Sequence, residues 1–166
     1  ASPLERARET AEIVARGWAI PVRTDARLMD TDIGTWAGKK LSELSGDPAW
    51  RAFVAHPTEP PPGVESLAVV QARAMSVVNA VLADATLGNC VALVTHGDLV
   101  KLVLAHYLGT AIECAHFVDI ANASLTALAF TGEEKPEVLA VNWTPAPRWL
   151  GGPPPSPAAT SASGEL

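Results

Sequence analysis

Several polar side chains lie where predicted helices and loops begin or end, and their types suit work on a charged oxygen compound. Arg6 lies one turn into a predicted helix, and Asp30 precedes a glycine-rich loop. Glu65 and Ser66 precede the longest predicted helix, and His96 follows an apolar run. A guanidinium can hold an oxyanion through two parallel hydrogen bonds, and a carboxyl group beside a pocket can donate or accept a proton. These residue types indicate anion binding combined with acid–base chemistry.

The segment that positions His96 is residues 90–94, an apolar run without polar alternation. Such a run is typical of a strand inside a parallel sheet that is covered on both faces. Gly97 allows a sharp turn after the strand and leaves room for a ligand, while Asp98 can cap the next predicted helix. Ligands of open α/β sheets bind outside the carboxyl ends of the strands, and amides at a helix start bind anions. The pattern predicts a ligand site at His96 and Gly97.

Each of these residues also has an ordinary structural explanation. His96 could satisfy its own hydrogen bonds at a strand end, Arg6 could be a surface charge, and Asp30 could be a turn residue. The helix dipole favours an acidic residue such as Glu65 near a helix start. The sequence contains no GxSxG, GxxxxGK[ST], GxGxxG or HExxH motif, which removes several competing chemistries.

Hydrophobic periodicity predicts the elements that surround these residues. A first helix follows Ser2, which has the residue type of an N-cap, with Pro3 at the first helical position. Residues 20–25 predict a short edge strand, because a proline inside it cannot donate to a ladder. The other predictions are short helices at 39–44 and 48–55, a long helix at 64–87 capped by Ser66, and a hairpin of strands at 124–131 and 136–143.

Composition narrows the class of protein. The chain has 166 residues, 48% of them apolar, and a formal net charge of −6, which is typical of a globular domain. This charge, without a Lys- or Arg-rich run, argues against a nucleic-acid partner. No apolar run has the length of a membrane span and no signal peptide pattern is present, so we predict a cytoplasmic protein with no membrane partner. Cys90 and Cys114 lack metal-ligand spacing and are predicted to be free, buried thiols.

Four motifs follow one another along the chain. They are SPLERARETA at residues 2–11, L-x-D-x-x-x-G-x-W-x-G at residues 28–38, PGVES at residues 62–66 and VTHGD at residues 94–98. Each motif alone is weak. In this order and spacing they resemble the histidine phosphatase (phosphoglycerate mutase-like) superfamily, in particular its actinobacterial phosphatase or probable-phosphomutase branch. The resemblance implies a three-layer α/β/α sandwich with a mostly parallel sheet.

The resemblance also implies roles for the polar residues. In the family, a histidine in an Arg-His-Gly motif on the first strand attacks phosphorus and becomes a phosphohistidine. By resemblance, His96 hydrogen-bonds the phosphoryl oxygens, Arg6 holds the phosphate, and Asp30 protonates the leaving oxygen and later activates water. Glu65 and Ser66 match a motif that lines or braces the pocket. Neither a metal nor another cofactor is implied, because positive side chains supply the charge that phosphoryl transfer needs.

Two departures from the family pattern affect the expected chemistry. Most relatives have glutamate at the position of Asp30, whose side chain is shorter by one methylene, so Asp32 stays an alternative proton donor. No Arg-His-Gly occurs in the 166 residues. We predict structural or solvent-facing roles for His56, His106 and His116, and none of them replaces that histidine. We therefore expect an N-terminal segment that carries the nucleophile to be missing from the sequence.

The expected missing segment would also supply the first, central strand of the sheet, beside residues 90–94. Its loss would leave an exposed edge prone to association, which a homodimer could cover. We predict that residues 1–143 form the N-terminally truncated domain and that residues 144–166 form a disordered, proline-rich tail.

The predicted function is phosphoryl transfer on a small phosphomonoester, by hydrolysis or isomerisation, with these 166 residues alone inactive or nearly so. The alternative is a non-catalytic relative that binds phosphorylated ligands or a protein partner. The sequence leaves open which phosphomonoester is used, whether the activity is that of a phosphatase or a mutase, and the oligomeric state.

Overall fold

Helices form most of the regular structure in a computed structural model that describes residues 1–132 and 135–145. The α-helices are α1 (Glu5–Trp18), α2 (Leu41–Leu44), α3 (Pro48–Ala55), α4 (Leu67–Ala83) and α5 (Gly97–Leu108). Short 3₁₀ helices lie at Ala26–Leu28, Gly34–Trp36, Ala85–Leu87 and Ile112–Phe117. The strands are β1 (Leu125–Ala129) and β2 (Glu137–Trp143). No helix in the described ranges is both long enough and apolar enough to cross a bilayer.

The predicted hairpin near the C-terminal end is confirmed. Strand β1 pairs antiparallel with β2, with Leu125 opposite Trp143 and Ala129 opposite Glu137. The register shifts twice between these two pairs. Helices and strands are both present, in keeping with the α/β class. Because β1 and β2 make up the whole sheet within the described residues, the mostly parallel sheet and the three-layer sandwich are not confirmed.

Residues 90–94 correct the prediction of a buried strand. Within the described residues no strand ladder forms along this segment, and Cys90, Val91 and Ala92 are exposed. Burial of an apolar run in a sheet requires hydrogen-bonded neighbours on both sides. Cys114 is exposed as well, so both cysteines are free, as predicted, but the prediction that they are buried is wrong.

The first two residues connect two segments that were both predicted as strands. The ammonium group of Ala1 donates to the carbonyl of Arg23 at 2.7 Å, and the N–H of Asp25 donates to the carbonyl of Ala1 at 2.9 Å. The N–H of Ser2 donates to the carbonyl of Val94 at 2.9 Å. These isolated hydrogen bonds keep residues 20–25 and 90–94 close to the chain start. They do not form a ladder, so neither segment is a strand as predicted.

The predicted long helix is confirmed with shorter bounds. The Ser66 hydroxyl accepts from the N–H of Val69 at 3.4 Å and caps α4, as predicted. The helix ends at Ala83 because the Asp84 carboxylate accepts from the N–H of Thr86 at 2.9 Å and starts a separate 3₁₀ turn. Ser2, in contrast, does not cap α1. Leu4 occupies the N-cap of that helix without a side-chain hydrogen bond.

The main core lies between α4 and α5, whose apolar faces pack against each other. Its buried members are Leu28, Val70, Ala74, Val77, Leu99, Leu102, Ala105 and Ala115. A second cluster, formed by the buried residues Trp36, Leu44 and Phe53, packs against the loop after residue 30. There the Trp36 ring packs edge-on against Trp50 at 5.1 Å, and its indole N–H donates to Asp47 at 2.9 Å. Both clusters adjoin the loop that carries Asp30.

The tail predicted for residues 144–166 lies outside the described residues except for its first two positions.

The α4–α5 core gives a direct test of this packing. We expect Leu102→Ala, at a side chain that is 1% exposed, to lower the free energy of unfolding by about 2 to 5 kcal/mol, because it leaves a cavity. Leu108→Ala, on the same helix at a residue 56% exposed, should change it by about 0.5 kcal/mol at most. Urea unfolding followed by circular dichroism measures both. Equal losses in the two variants would contradict the packing described.

Candidate active site

His96 occupies the N-cap of α5, and its ring is buried. The ring nitrogen Nε2 lies 2.9 Å from the Ser2 hydroxyl oxygen. The other ring nitrogen, Nδ1, lies 3.5 Å from Oδ2 of Asp30. One edge of the imidazole therefore faces a buried hydroxyl group, and the other faces a partly exposed carboxylate.

The surroundings of His96 oppose a positive charge on the ring. Burial lowers the pKa of His96 below its ordinary value of 6.5, and the nearby charges of Arg6 and Arg73 lower it further. The carboxylates of Asp30 and Asp98 act in the opposite direction and only partly offset this effect. The imidazole is therefore neutral around pH 7 in the ligand-free protein.

Arg6 reaches the same carboxylate from α1. Its Nη2 lies 2.6 Å from Oδ2 of Asp30, the oxygen that also faces His96. The Arg6 side chain is 62% exposed, so its remaining N–H groups point into solvent, where an incoming anion can meet them. Three residues that are far apart in the sequence are thus brought together at a single carboxylate oxygen.

Hydrogen bonds from two other elements fix the loop that carries Asp30. The Thr95 hydroxyl donates to the carbonyl of Leu28 at 2.8 Å, which joins this loop to the residue before His96. The Arg73 guanidinium, on α4, donates to the carbonyls of residues 27, 29 and 30, the last at 3.0 Å. These side-chain donors hold the backbone around Asp30. They position this residue in place of the hydrogen bonds of a strand or an α-helix.

Glu65 and Arg73 form the second charged pair of the site. Nε of Arg73 lies 2.8 Å from one Glu65 carboxylate oxygen, and Nη2 lies 2.9 Å from the other. The N–H of Asp32 donates to this carboxylate as well, at 3.2 Å. The Arg73 hydrogen bonds are the main cause of a Glu65 pKa below its ordinary value of 4.5. Glu65 is therefore ionised at neutral pH and braces the loop.

A cleft of about 480 Å³ lies between the loop of residues 26–32 and the loop of residues 63–65. Asp30 and Asp32 both line it. Asp32 accepts from the N–H of Gly34 at 2.8 Å, whereas Asp30 contacts Arg6 and His96. Of the two candidate proton donors, Asp30 is thus the one beside Arg6 and His96. Gly34 is required where it is, because a Cβ there would come within 2.5 Å of the Gly63 carbonyl oxygen.

Two other predicted site residues have mainly backbone or structural positions. The Ser66 hydroxyl is occupied as the cap of α4. Gly97 is the first residue of α5, where its N–H belongs to the free amides of a helix start. A Cβ at Gly97 would meet Ile120 at 3.7 Å, an ordinary contact. The interior packing therefore does not by itself demand glycine there.

Comparison with known proteins identifies the family. The model of the histidine phosphatase superfamily (branch 1) matches residues 1–144. The chain belongs to this superfamily. Among curated relatives, the bifunctional protein Rv2228c of Mycobacterium tuberculosis is 30% identical over 145 residues, which is 86% of this chain and 40% of that protein. The 2,3-bisphosphoglycerate-dependent phosphoglycerate mutase of Thermoplasma acidophilum is 27% identical over 127 residues, which is 76% of this chain and 60% of the mutase.

Solved structures of other proteins superpose on most of the chain. YhfR of Bacillus stearothermophilus has a TM-score of 0.75 at 32% identity, covering 85% of this chain and 71% of that protein. Mycobacterial glucosyl-3-phosphoglycerate phosphatase Rv2419c, solved with inorganic phosphate, has a TM-score of 0.73 at 27% identity. The alignment with it covers 86% of this chain and 75% of the phosphatase. The chain therefore spans less than half of the first relative and about three quarters of these structures.

The arrangement in this superfamily member is suited to a tetrahedral anion. The Arg6 guanidinium, the His96 ring and the free amides at the start of α5 offer hydrogen-bond donors on one side of the Asp30 carboxylate. Asp30 itself can exchange a proton with an oxygen bound among them. Within the described residues, no group of three His, Cys, Asp or Glu side chains could hold a metal ion.

The motifs indicated most of these residues but missed two relationships. Arg73 follows Glu65 by eight residues, and nothing local in the sequence shows that it binds three backbone carbonyls of the residue 27–30 loop. Ser2 was expected to cap α1 and instead contacts His96, 94 residues away. The proline after Ser2 supported the wrong expectation, since proline is common at the start of a helix.

The Glu65–Arg73 pair predicts a pH-dependent contribution to stability. Because the pKa of Glu65 is lower in the folded protein than in the unfolded chain, ionised Glu65 stabilises the fold above pH 4.5, and this contribution disappears as the pH falls through the folded-state pKa. We expect Glu65→Gln to be less stable than the wild type by about 2 kcal/mol at pH 7, with a smaller difference in acid. Urea unfolding at a series of pH values measures it.

Glu9→Gln, at an exposed position on α1, is the matched control for removal of a negative charge. It should change the free energy of unfolding little at any pH. If the difference between wild type and Glu65→Gln stays constant from pH 7 into acid, the ion pair is not its source.

Proposed function

We propose that this chain supplies the phosphate-binding and proton-transfer groups of an enzyme that hydrolyses small phosphomonoesters. The observation that carries the proposal is the convergence of Arg6 and His96 on one Asp30 oxygen, at 2.6 and 3.5 Å. A negatively charged oxygen already occupies the position between these two donors. A phosphoryl oxygen has the same charge and hydrogen-bonding character, so it can take that position when Asp30 moves to the leaving group.

In the proposed reaction, a histidine nitrogen attacks phosphorus while the bond from phosphorus to the ester oxygen breaks. Arg6 and His96 hold the non-bridging oxygens and stabilise the charge they carry in the transition state. Protonated Asp30 gives its proton to the leaving oxygen. As a carboxylate, it then takes a proton from the water that attacks the phosphohistidine, which releases inorganic phosphate and restores the free imidazole.

The attacking histidine is the part of the proposal that these 166 residues do not contain in an Arg-His-Gly motif. His56 follows the last residue of α3, and the rings of His106 and His116 contact those of Tyr107 and Phe117, the first pair edge-on and the second tilted. We therefore place the nucleophile outside residues 1–166 of the natural protein. The proposal extends to a cytoplasmic enzyme with a mostly parallel sheet, and to a homodimer as its assembly.

The named relatives support the class of reaction. By its name, the mycobacterial structure is a glucosyl-3-phosphoglycerate phosphatase, and the Thermoplasma relative is a phosphoglycerate mutase. Both act on phosphate esters of small organic molecules. A mutase activity in this protein would use the same donors but would return the phosphoryl group to an alcohol instead of water.

A second candidate function is binding without turnover. The observation in its favour is that the groups for holding phosphate, Arg6 and His96, are in place in a sequence without Arg-His-Gly. In that case the natural protein would recognise phosphorylated ligands or a phosphorylated partner and leave them unchanged.

The first test is binding of inorganic phosphate to the chain itself, measured by calorimetry or by NMR shifts of His96. We expect Arg6→Gln to weaken binding by about ten- to one hundred-fold, because it removes charge-assisted hydrogen bonds. Arg8→Gln is the matched control, since Arg8 lies on the same helix and pairs with Glu12 instead. Equal weakening in both variants would mean that only the net charge of α1 matters, and would overturn the assignment of Arg6.

The second test uses the natural protein that contains these residues and separates the two functions. An enzyme of the proposed kind should incorporate labelled phosphate into an acid-labile, base-stable phosphohistidine within one turnover of an aryl phosphate. Asp30→Asn should slow release of the alcohol by about 100-fold or more, and Asp32→Asn by much less. Tight phosphate binding without labelling or turnover would support the binding function and rule out the enzymatic one.

A further inference from the structure

The Ser2 hydroxyl is the part of the site that the proposed reaction does not use. The residue is completely buried, with 0% of its surface exposed. Its oxygen accepts a hydrogen bond from the backbone N–H of Leu4 at 3.3 Å and lies 2.9 Å from Nε2 of His96. Its own N–H is bound to the Val94 carbonyl at 2.9 Å. Ser2 is therefore fixed on both its backbone and its side chain.

A count of donors and acceptors decides which atom carries the shared proton. A serine hydroxyl has one hydrogen and can accept through its lone pairs. Within the described residues, the one group within hydrogen-bond distance that could accept that hydrogen is Nε2 of His96, at 2.9 Å. If Nε2 carried a hydrogen instead, both it and the N–H of Leu4 would donate to the Ser2 oxygen. The Ser2 hydrogen would then have no acceptor, at a residue that solvent does not reach. Such unpaired buried donors are rare because they are costly.

The opposite edge of the ring points to the same arrangement. Nδ1 of His96 faces Oδ2 of Asp30 at 3.5 Å, and an ionised carboxylate can only accept hydrogen bonds. A hydrogen on Nδ1 makes this contact attractive, whereas a lone pair there would face a negative oxygen. The Ser2 side and the Asp30 side thus favour the same tautomer independently.

We infer that Ser2 is a positioning residue that donates its hydroxyl hydrogen to Nε2 of His96 and thereby fixes the ring as a neutral imidazole with its proton on Nδ1. This proton points at Asp30 in the free protein. On the basis of the proposed function, the same N–H points at a phosphoryl oxygen in the complex. Rotation of the ring by 180° would place carbon atoms against the hydroxyl and the carboxylate, so the bond to Ser2 fixes the ring orientation as well.

The charges around His96 are consistent with a neutral ring. Arg6 on α1 and Arg73 on α4 oppose protonation, and Asp30 and Asp98 favour it. The ring also lies at the N-terminal end of α5, where the helix dipole disfavours a cation. A protonated ring would carry hydrogens on both nitrogens and would leave the Ser2 hydrogen unpaired, so Ser2 adds to the same preference.

The test is the ¹⁵N NMR spectrum of the imidazole nitrogens in the ligand-free chain at neutral pH, with His96→Gln to assign the signals. We expect a protonated Nδ1 and an unprotonated Nε2 at His96 in the wild type. Ser2→Ala should produce a substantial Nε2–H population, the form that a free histidine side chain favours in water. Ser2→Thr keeps the hydroxyl and should keep the Nδ1–H form. Ser45→Ala, which removes an exposed serine hydroxyl on another part of the chain, should change nothing at His96.

Three results would overturn the inference: an Nε2–H tautomer in the wild type, a ring that is still protonated at pH 7, or a Ser2→Ala spectrum identical to that of the wild type. If Ser2→Ala does not fold, the wild type and Ser2→Thr decide, since loss of Nδ1–H in either contradicts the assignment. No ligand is present in this experiment. A correct tautomer without phosphate binding would therefore reject the proposed function alone, and phosphate binding with the wrong tautomer would reject the role of Ser2 alone.

Discussion

The Arg73 guanidinium joins three stretches of chain that are distant in sequence, and the geometry of the site depends on it. It starts from α4, binds both oxygens of Glu65, and donates to carbonyl groups on both sides of Met29. Arginine suits this place because its planar fork of five donors serves a carboxylate and several carbonyls at once. Lysine would bring the same charge with fewer and less directed hydrogen bonds. Together with the Thr95 hydroxyl, this side chain holds the loop that carries Asp30.

A largely buried ion pair is a poor way to gain stability, since desolvation offsets much of the attraction between the charges. At this site the role of the pair is to hold two loops in position. The side chains of Arg73 and Glu65 are 17% and 19% exposed, so their contact is screened little by solvent. It fixes the loop of residues 63–65 relative to the loop of residues 27–32, together with a single backbone hydrogen bond from the N–H of Glu65 to the carbonyl of Asp32 at 2.8 Å. The cleft between them keeps its shape for the same reason.

The sequence predicted what depends on local patterns and missed what depends on distant neighbours. Ser66 was predicted as a helix cap and is one, because capping involves residues three apart. Ser2 has the same residue type before a similar apolar pattern, but its hydroxyl contacts a histidine 94 residues later. Residues 90–94 have the composition of a buried strand, yet burial needs partners that the segment itself cannot specify. The motifs located Arg6, Asp30 and His96 along the chain, and their shared carboxylate oxygen became visible only in three dimensions.

The carboxylate of Asp30 is the point at which the two basic side chains of the site meet. Oδ2 of Asp30 accepts a hydrogen bond from Arg6 at 2.6 Å and lies 3.5 Å from Nδ1 of His96. In the proposed function, a phosphoryl oxygen would replace this carboxylate oxygen beside Arg6 and His96, so the proton donor would already lie next to the bound ester.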